Sequence, residues 1–244
     1  MGLITRTWID AARARRRFQR RVRPALAREE LIQRHAPGRS FADVGAMWGI
    51  HAKLSFLAEE CGATSVTAVD IMPSTETFEA ERAKRQSKVR FVHGDLHDSA
   101  VLDEVGIHDV VFCAGVLYHA PNPIHTLECL RRITGETLIL QTAAIPEVPG
   151  IDQACVFYPG LSESARAAYV PTSGGTRLGI THPFERLESE ADRVGDGQSQ
   201  SYGNWWWGIT PSALRGMLTA SGFEVLELGR EPFYARVIAR PVDS

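Results

Sequence analysis

Paired cysteines, membrane-length apolar runs and the familiar phosphate-binding loops are all missing from this 244-residue sequence. The four cysteines, Cys61, Cys113, Cys129 and Cys155, stand far apart, with no C-x-x-C pair and no zinc-type spacing. That argues against a disulfide framework or a metal site, and a reducing, cytoplasmic setting is expected. No apolar stretch approaches the roughly 20 residues of a membrane-spanning helix, so a soluble chain is expected. The dinucleotide fingerprint fails as well. Counted from Gly45, its second and third glycines fall on Met47 and Ile50. A Gly-Lys-Ser/Thr phosphate loop is absent too. Acidic residues are scarce at the start, where residues 1–28 hold nine arginines against Asp10 alone. The net charge is only −2, so the remainder of the chain is acidic. This opening is too poor in serine for a transit peptide and carries a narrow apolar stripe at Ile4, Trp8, Ala11, Phe18 and Val22. It is read as a basic amphipathic segment, residues 1–34, preceding a main domain over residues 35–244.

What is present is alternation. Ser40–Val44, Ser65–Val69, Val89–Val92, Asp109–Cys113 and Thr137–Gln141 read as short apolar strands. Between them, Gly49–Glu60, Ser74–Gln86 and Ile124–Ile133 have helical spacing. Residues 143–208 break the pattern, being rich in proline and glycine, and read as a lid or substrate-binding insertion. Thr210-Pro211-Ser212 opens another helix, with threonine as cap and proline in the first turn. Phe223–Leu228 and Phe233–Ala239 follow as an antiparallel hairpin at the sheet edge. The expected fold is α/β and Rossmann-like: a seven-stranded, mostly parallel sheet with a C-terminal antiparallel hairpin and helices on both faces.

The chemistry concentrates at the first strand-to-helix turn, Asp43-Val-Gly45-Ala-Met-Trp-Gly49-Ile-His51. Glycines there let the backbone approach a ligand at the carboxyl end of the sheet. Asp70, about twenty residues on, ends the second strand where ribose hydroxyls would meet a carboxylate. The loop matches D-x-G-x-G-x-G, the first motif of class I methyltransferases, at Asp43, Gly45 and Gly49, with Met47 in place of the middle glycine. A carboxylate at position 43 suits the ammonium of S-adenosylmethionine, which is the expected cofactor. Asp95, in Gly94-Asp95-Leu96, suits an adenine amino group as acceptor, and equally suits a turn.

Val116-Leu-Tyr118-His119 with Pro123 and Leu127, together with Asp43–His51 and Asn204–Phe223, resembles the methyltransferase-like family that contains the tRNA wobble-uridine 5-oxyacetic acid synthases. The likeness covers roughly residues 40–142 and 204–240. It implies carboxymethyl transfer from carboxy-S-adenosylmethionine in one branch and ordinary small-molecule methylation in many relatives. By that likeness Asp43, Gly45, Asp70, Asp95, Gly115 and Tyr118 line the cofactor site. Gly49, His51, Ile71, Leu96 and Cys113 complete the expected set.

Methyl transfer needs proximity, in-line alignment and, for some acceptors, a base. His119 is the candidate base, with loop or pocket shaping as the alternative. Tyr118 reads as a pocket wall. In Tyr202-Gly-Asn-Trp205-Trp206-Trp207, the three tryptophans cannot all face one core. Tyr202, Trp205 and Trp206, with His182 and Tyr169 in the insertion, are candidate acceptor contacts, or the segment anchors the insertion. Three functions follow: methylation of a small molecule at oxygen, nitrogen or carbon; a tRNA-directed methyl or carboxymethyl transferase; or a cofactor-binding relative without turnover. A homodimer is a further expectation.

Overall fold

The computed structural model describes residues 27–157, 172–173, 176–177, 206–230 and 234–242. Helix α1 (Arg28–His35) is followed by β1 (Ser40–Val44), α2 (Lys53–Glu60), β2 (Ser65–Asp70), α3 (Glu76–Arg85) and β3 (Arg90–His93). Then come α4 (Ser99–Val105), β4 (His108–Ala114), a 3₁₀ turn (Leu117–His119), α5 (Pro123–Ile133) and β5 (Thr134–Ala143). Three short strands follow, β6 (Cys155–Phe157), β7 (Thr172–Ser173) and β8 (Thr176–Arg177). The chain closes with β9 (Trp207–Ile209), α6 (Pro211–Ala220), β10 (Phe223–Arg230) and β11 (Tyr234–Pro241).

The main sheet has the order β10-β11-β5-β4-β1-β2-β3. Strands β3, β2, β1, β4 and β5 run parallel, while β11 is antiparallel to both β5 and β10. This is the expected seven-stranded architecture. Strand alternation divides the apolar residues between the two faces. Ala42, Val44, Val111, Cys113, Leu138 and Leu140 join Leu127, Leu130, Leu214 and Leu218 of α5 and α6. Phe41, Val110, Phe112 and Ile139 point the other way, onto Leu31 and Ile32 of α1, Leu54 and Phe56 of α2, and Phe78 of α3. Each face is therefore closed by three helices.

Local chemistry sets the helix starts. Thr75, Asn122 and Thr210 cap α3, α5 and α6 by accepting from the amides of Phe78, His125 and Ala213, and Pro123 and Pro211 occupy first-turn positions. The structure adds what the sequence reading passed over. Helix α4 has only seven residues, capped by Asp98, and buries Leu102 and Val105. The C-terminal hairpin docks through its second strand: β11 lies inside the sheet and β10 forms the edge. The reason is compositional. Strand β11 is buried almost continuously, whereas β10 carries Glu224 and Glu227 and exposes Leu226. Part of the 143–208 stretch is also ordered, since β6 pairs with β9 antiparallel from Cys155–Ile209 to Phe157–Trp207. Among the described residues, no helix is long and apolar enough to cross a membrane.

Candidate active site

A cavity of about 480 Å³ opens at the carboxyl ends of the parallel strands, where residues at the ends of β1, β2, β3, β4 and β5 converge. That size lies within the ordinary range for small-ligand sites. Gly45, Asp70, Ile71, Asp95, Leu96, Gly115, Tyr118 and His119 all line it. The remaining expected cofactor residues, Asp43, Gly49, His51 and Cys113, do not.

Asp43 shares strand parity with Phe41, so its side chain turns into the α1–α3 face instead of the strand end. There it accepts from Ser55 Oγ of α2 at 2.7 Å and is about 1 % exposed. Burial raises its pKa to about 6, assisted by the charge of Asp70 and opposed by the Ser55 hydrogen bond. The carboxylate thus ties the end of β1 to α2 and does not line the cavity. Cys113 has the opposite parity and lies fully buried in the α5–α6 core, where burial pushes its thiol up. His51 and Ala52 hold left-handed φ values of 49° and 57°. The His51 ring hydrogen-bonds Thr75 Oγ1 at 2.9 Å, tying the loop to the start of α3.

Gly45 explains why the loop can pass so close to the ligand space. Its φ is +83°, and a Cβ there would lie 2.6 Å from Val116 Cγ2 and 3.1 Å from the Ala114 carbonyl oxygen. Met47, in place of the motif's middle glycine, sends its side chain into the core and does not intrude on the cavity. Its backbone amide instead donates to Asp70 Oδ2 at 2.6 Å, and the Met72 amide donates to Oδ1 at 2.8 Å. Asp70 therefore fixes the ends of two loops while still facing the cavity. Burial raises its pKa and these backbone bonds pull it back down. Asp95 is exposed at the far side, accepting from the His97 amide at 2.9 Å.

At the other end of the cavity Tyr118 and His119 occupy the turn after β4, their rings 4.1 Å apart. Burial, with the nearby Tyr234, pushes the Tyr118 phenol well above its usual range, so it stays protonated as a hydrogen-bonding wall. Lining residues that were not singled out from the sequence include Arg28, Trp48, Gln141 and Tyr234. Trp48 was inside the motif and remains 37 % exposed; the others come from α1, β5 and β11, and only the sheet order gathers them. Gln141 Oε1 receives both Arg236 Nε (2.9 Å) and Nη2 (2.7 Å), which leaves its amide group as the donor available to the cavity.

Of the aromatic run, Trp206 donates its backbone amide to the Tyr118 carbonyl at 2.9 Å, and Trp207 Nε1 donates to the carbonyl of Pro121 at 3.0 Å. Phe157 packs on Trp207 with ring centroids 4.9 Å apart. The β6–β9 pair is thereby fastened beside the cavity. Tyr202, Trp205, His182 and Tyr169 lie outside the described residues.

A nucleoside with an amino-acid arm fits this donor set. The cavity offers a carboxylate at the end of β2, another after β3, and a close-approach glycine at β1. Residues 42–136 match the model of a family described as a methyltransferase domain. Among solved structures, the N-terminal domain of EvdMO1 with S-adenosylhomocysteine bound is similar with a TM-score of 0.54 and 16 % identity, covering 89 % of this chain and 80 % of that one. The 1,6-didemethyltoxoflavin-N1-methyltransferase of Burkholderia thailandensis, with 1,6-didemethyltoxoflavin and S-adenosylhomocysteine bound, gives 0.55 and 17 %, covering 88 % and 76 %. A putative sarcosine dimethylglycine methyltransferase from Galdieria sulphuraria gives 0.56 at 10 % identity, covering 88 % and 82 %. At these identities the likeness establishes the fold. No curated protein sequence matches the chain. The segment that matches the methyltransferase-domain model contains four residues of the cavity wall, Gly45, Asp70, Asp95 and Gly115.

Proposed function

We propose that the protein methylates a small-molecule acceptor bound in the same cavity as the cofactor, beside Tyr118, His119, Gln141 and Tyr234. The observation that carries this reading is the continuity of one cavity of about 480 Å³ from Asp95 and Asp70, past Gly115, to that polar end. S-adenosylmethionine supplies an electrophilic methyl group on a sulfonium. The acceptor's lone pair forms the new bond to carbon while the carbon–sulfur pair returns to sulfur, leaving a neutral thioether. In this reading His119, which lines the same end of the cavity, takes the proton that a hydroxyl or amine acceptor must lose. Tyr118, held as a phenol, donates a hydrogen bond and does not compete as a base. Gly115 turns the chain there with a φ of +80°, a left-handed conformation that residues with a side chain rarely adopt.

A second reading, transfer of a methyl or carboxymethyl group to tRNA, is favoured by the nine arginines within residues 1–28. The two readings separate in one assay. The full chain is incubated with S-adenosylmethionine and either a panel of hydroxylated and amino aromatic acids or bulk tRNA, and S-adenosylhomocysteine release is measured. Release with members of the small-molecule panel supports the first reading. Release with tRNA alone, with binding that weakens steeply as salt rises, replaces it with the second. Absence of release with every acceptor favours a binding protein without turnover.

A further inference from the structure

Gln141 lies near the carboxyl end of β5, half-buried and on the cavity wall. Across the antiparallel pairing of β5 and β11 it stands directly opposite Arg236. Strand parity puts both side chains on the face that Ile139 and Ile238 occupy further along the same strands. Arg236 is only 7 % exposed and is not part of the cavity wall, so it meets the site through Gln141.

A glutamine amide can ordinarily turn either end toward a ligand, because its oxygen and nitrogen are nearly alike in shape and opposite in hydrogen bonding. Here chemistry fixes the choice. A guanidinium only donates, and Nε and Nη2 of Arg236 reach one and the same atom of Gln141, at 2.9 and 2.7 Å. That atom is therefore the oxygen, and the amino group is turned away from Arg236. Among the described residues Nε2 has no hydrogen-bond partner, yet it is not one of the polar atoms sealed off by protein, so it opens to the cavity. The cation bound at the oxygen also polarises the amide and strengthens Nε2–H as a donor.

A molecule filling this end of the cavity covers that amino group, and a covered donor without a partner is costly. A carbonyl oxygen answers it best. A hydroxyl oxygen would bring a proton that needs an acceptor of its own. A carboxylate calls for a charge facing it, whereas the charge of Arg236 stays behind the amide.

We infer that Gln141 selects the methyl acceptor by donating Nε2–H to a neutral carbonyl oxygen on it, and that Arg236 is the positioning residue that keeps the amide turned that way. This rests on methylation of a small molecule in this cavity. The acceptor class it names is a ketone, amide or ester that also carries the hydroxyl or amine to be methylated.

The test measures S-adenosylhomocysteine release by the full chain from ring-substituted hydroxy- and aminoacetophenones, ortho, meta and para. Each is paired with the ethylphenol or ethylaniline that has a methylene in place of the carbonyl. Wild type is expected to favour the carbonyl member by about 10- to 100-fold in kcat/KM, the effect of one covered donor gaining or lacking its partner. Gln141→Glu keeps the shape and the contact with Arg236 but has no N–H, and should bring that ratio to about one. Arg236→Met lets the amide turn over and should lower the ratio several-fold, with Arg236→Lys recovering part of it. A purely structural Arg236 would slow both members alike and leave the ratio as in wild type, which overturns its positioning role. A wild type without preference, or a preference that survives in Gln141→Glu, overturns the inference. So does release from the hydroxylated and amino aromatic acids but from neither member of any pair. Thermal melts show which variants fold, and Gln141→Glu decides alone if the Arg236 variants do not. Absence of release from every small molecule refutes the methylation reading itself, a distinct outcome that takes the inference with it.

Discussion

Replacing Asp43 with asparagine separates the charge of this side chain from its shape. The carboxylate is enclosed beneath the glycine loop and accepts one hydrogen bond from Ser55 Oγ at 2.7 Å, which an amide oxygen can also accept. Burial raises its pKa to about 6, whereas an aspartate in an unfolded chain titrates near ~4. Between those values the native state still holds a proton that the unfolded state has released. The native pKa being the higher one, the stabilising contribution is complete below about pH 4 and is lost as pH rises through 6. Roughly two units at about 1.36 kcal/mol each make the loss about 3 kcal/mol. For a domain of this size that is about 6–12 °C in Tm. The variant carries no charge at this position and lacks the slope. Thermal melts of both proteins from pH 4 to 8 should show Asp43→Asn gaining on the wild type up to about pH 7 and holding a constant lead above it. A difference that does not move with pH, or a wild type that gains as pH rises, would refute the reasoning.

Three further outcomes are expected. Gly45→Ala forces a side chain onto a φ of +83° and against Val116 and Ala114, and should cost about 1–3 kcal/mol in urea unfolding together with lost cofactor affinity; an unchanged midpoint would mean the loop relaxes freely. Asp70→Ala strips an acceptor from the amides of Met47 and Met72, so stability should fall by about 1–3 kcal/mol per orphaned amide, and S-adenosylhomocysteine affinity at least about tenfold by calorimetry. Retained affinity would place the ribose elsewhere. His119→Ala should reduce turnover by about 10²–10⁴-fold while leaving S-adenosylhomocysteine binding intact; full activity would end its role as a base.

The sequence carried the parallel core well because each of its strands is a short apolar run bounded by glycine, proline or a charged helix. Its motif glycines and Asp70 also marked which end of the sheet holds the site. Helix α4 was too short for a 3.6-residue period to stand out, with only Leu102 and Val105 repeating on its inner face. The order of the last two strands depends on long-range pairing, although the near-continuous apolar run Ala235–Ala239, broken only by Arg236, was a usable sign of an interior strand. Asp43 lies off the cavity wall for a reason legible in the sequence, since its parity with Phe41 directs it into the helical face. Arg28, Gln141 and Tyr234 carry no local signature. They belong to elements at the start, middle and end of the chain, and become neighbours only once α1 is seated and β11 has joined β5.

Direct titration of the purified full chain with S-adenosylhomocysteine, beside NAD as the competing nucleoside cofactor, tests the central claim most directly. The expected result is saturable one-to-one binding of S-adenosylhomocysteine that Asp70→Ala weakens, with no binding of NAD. Binding of NAD in its place, or no binding of S-adenosylhomocysteine by a folded protein, would contradict the account.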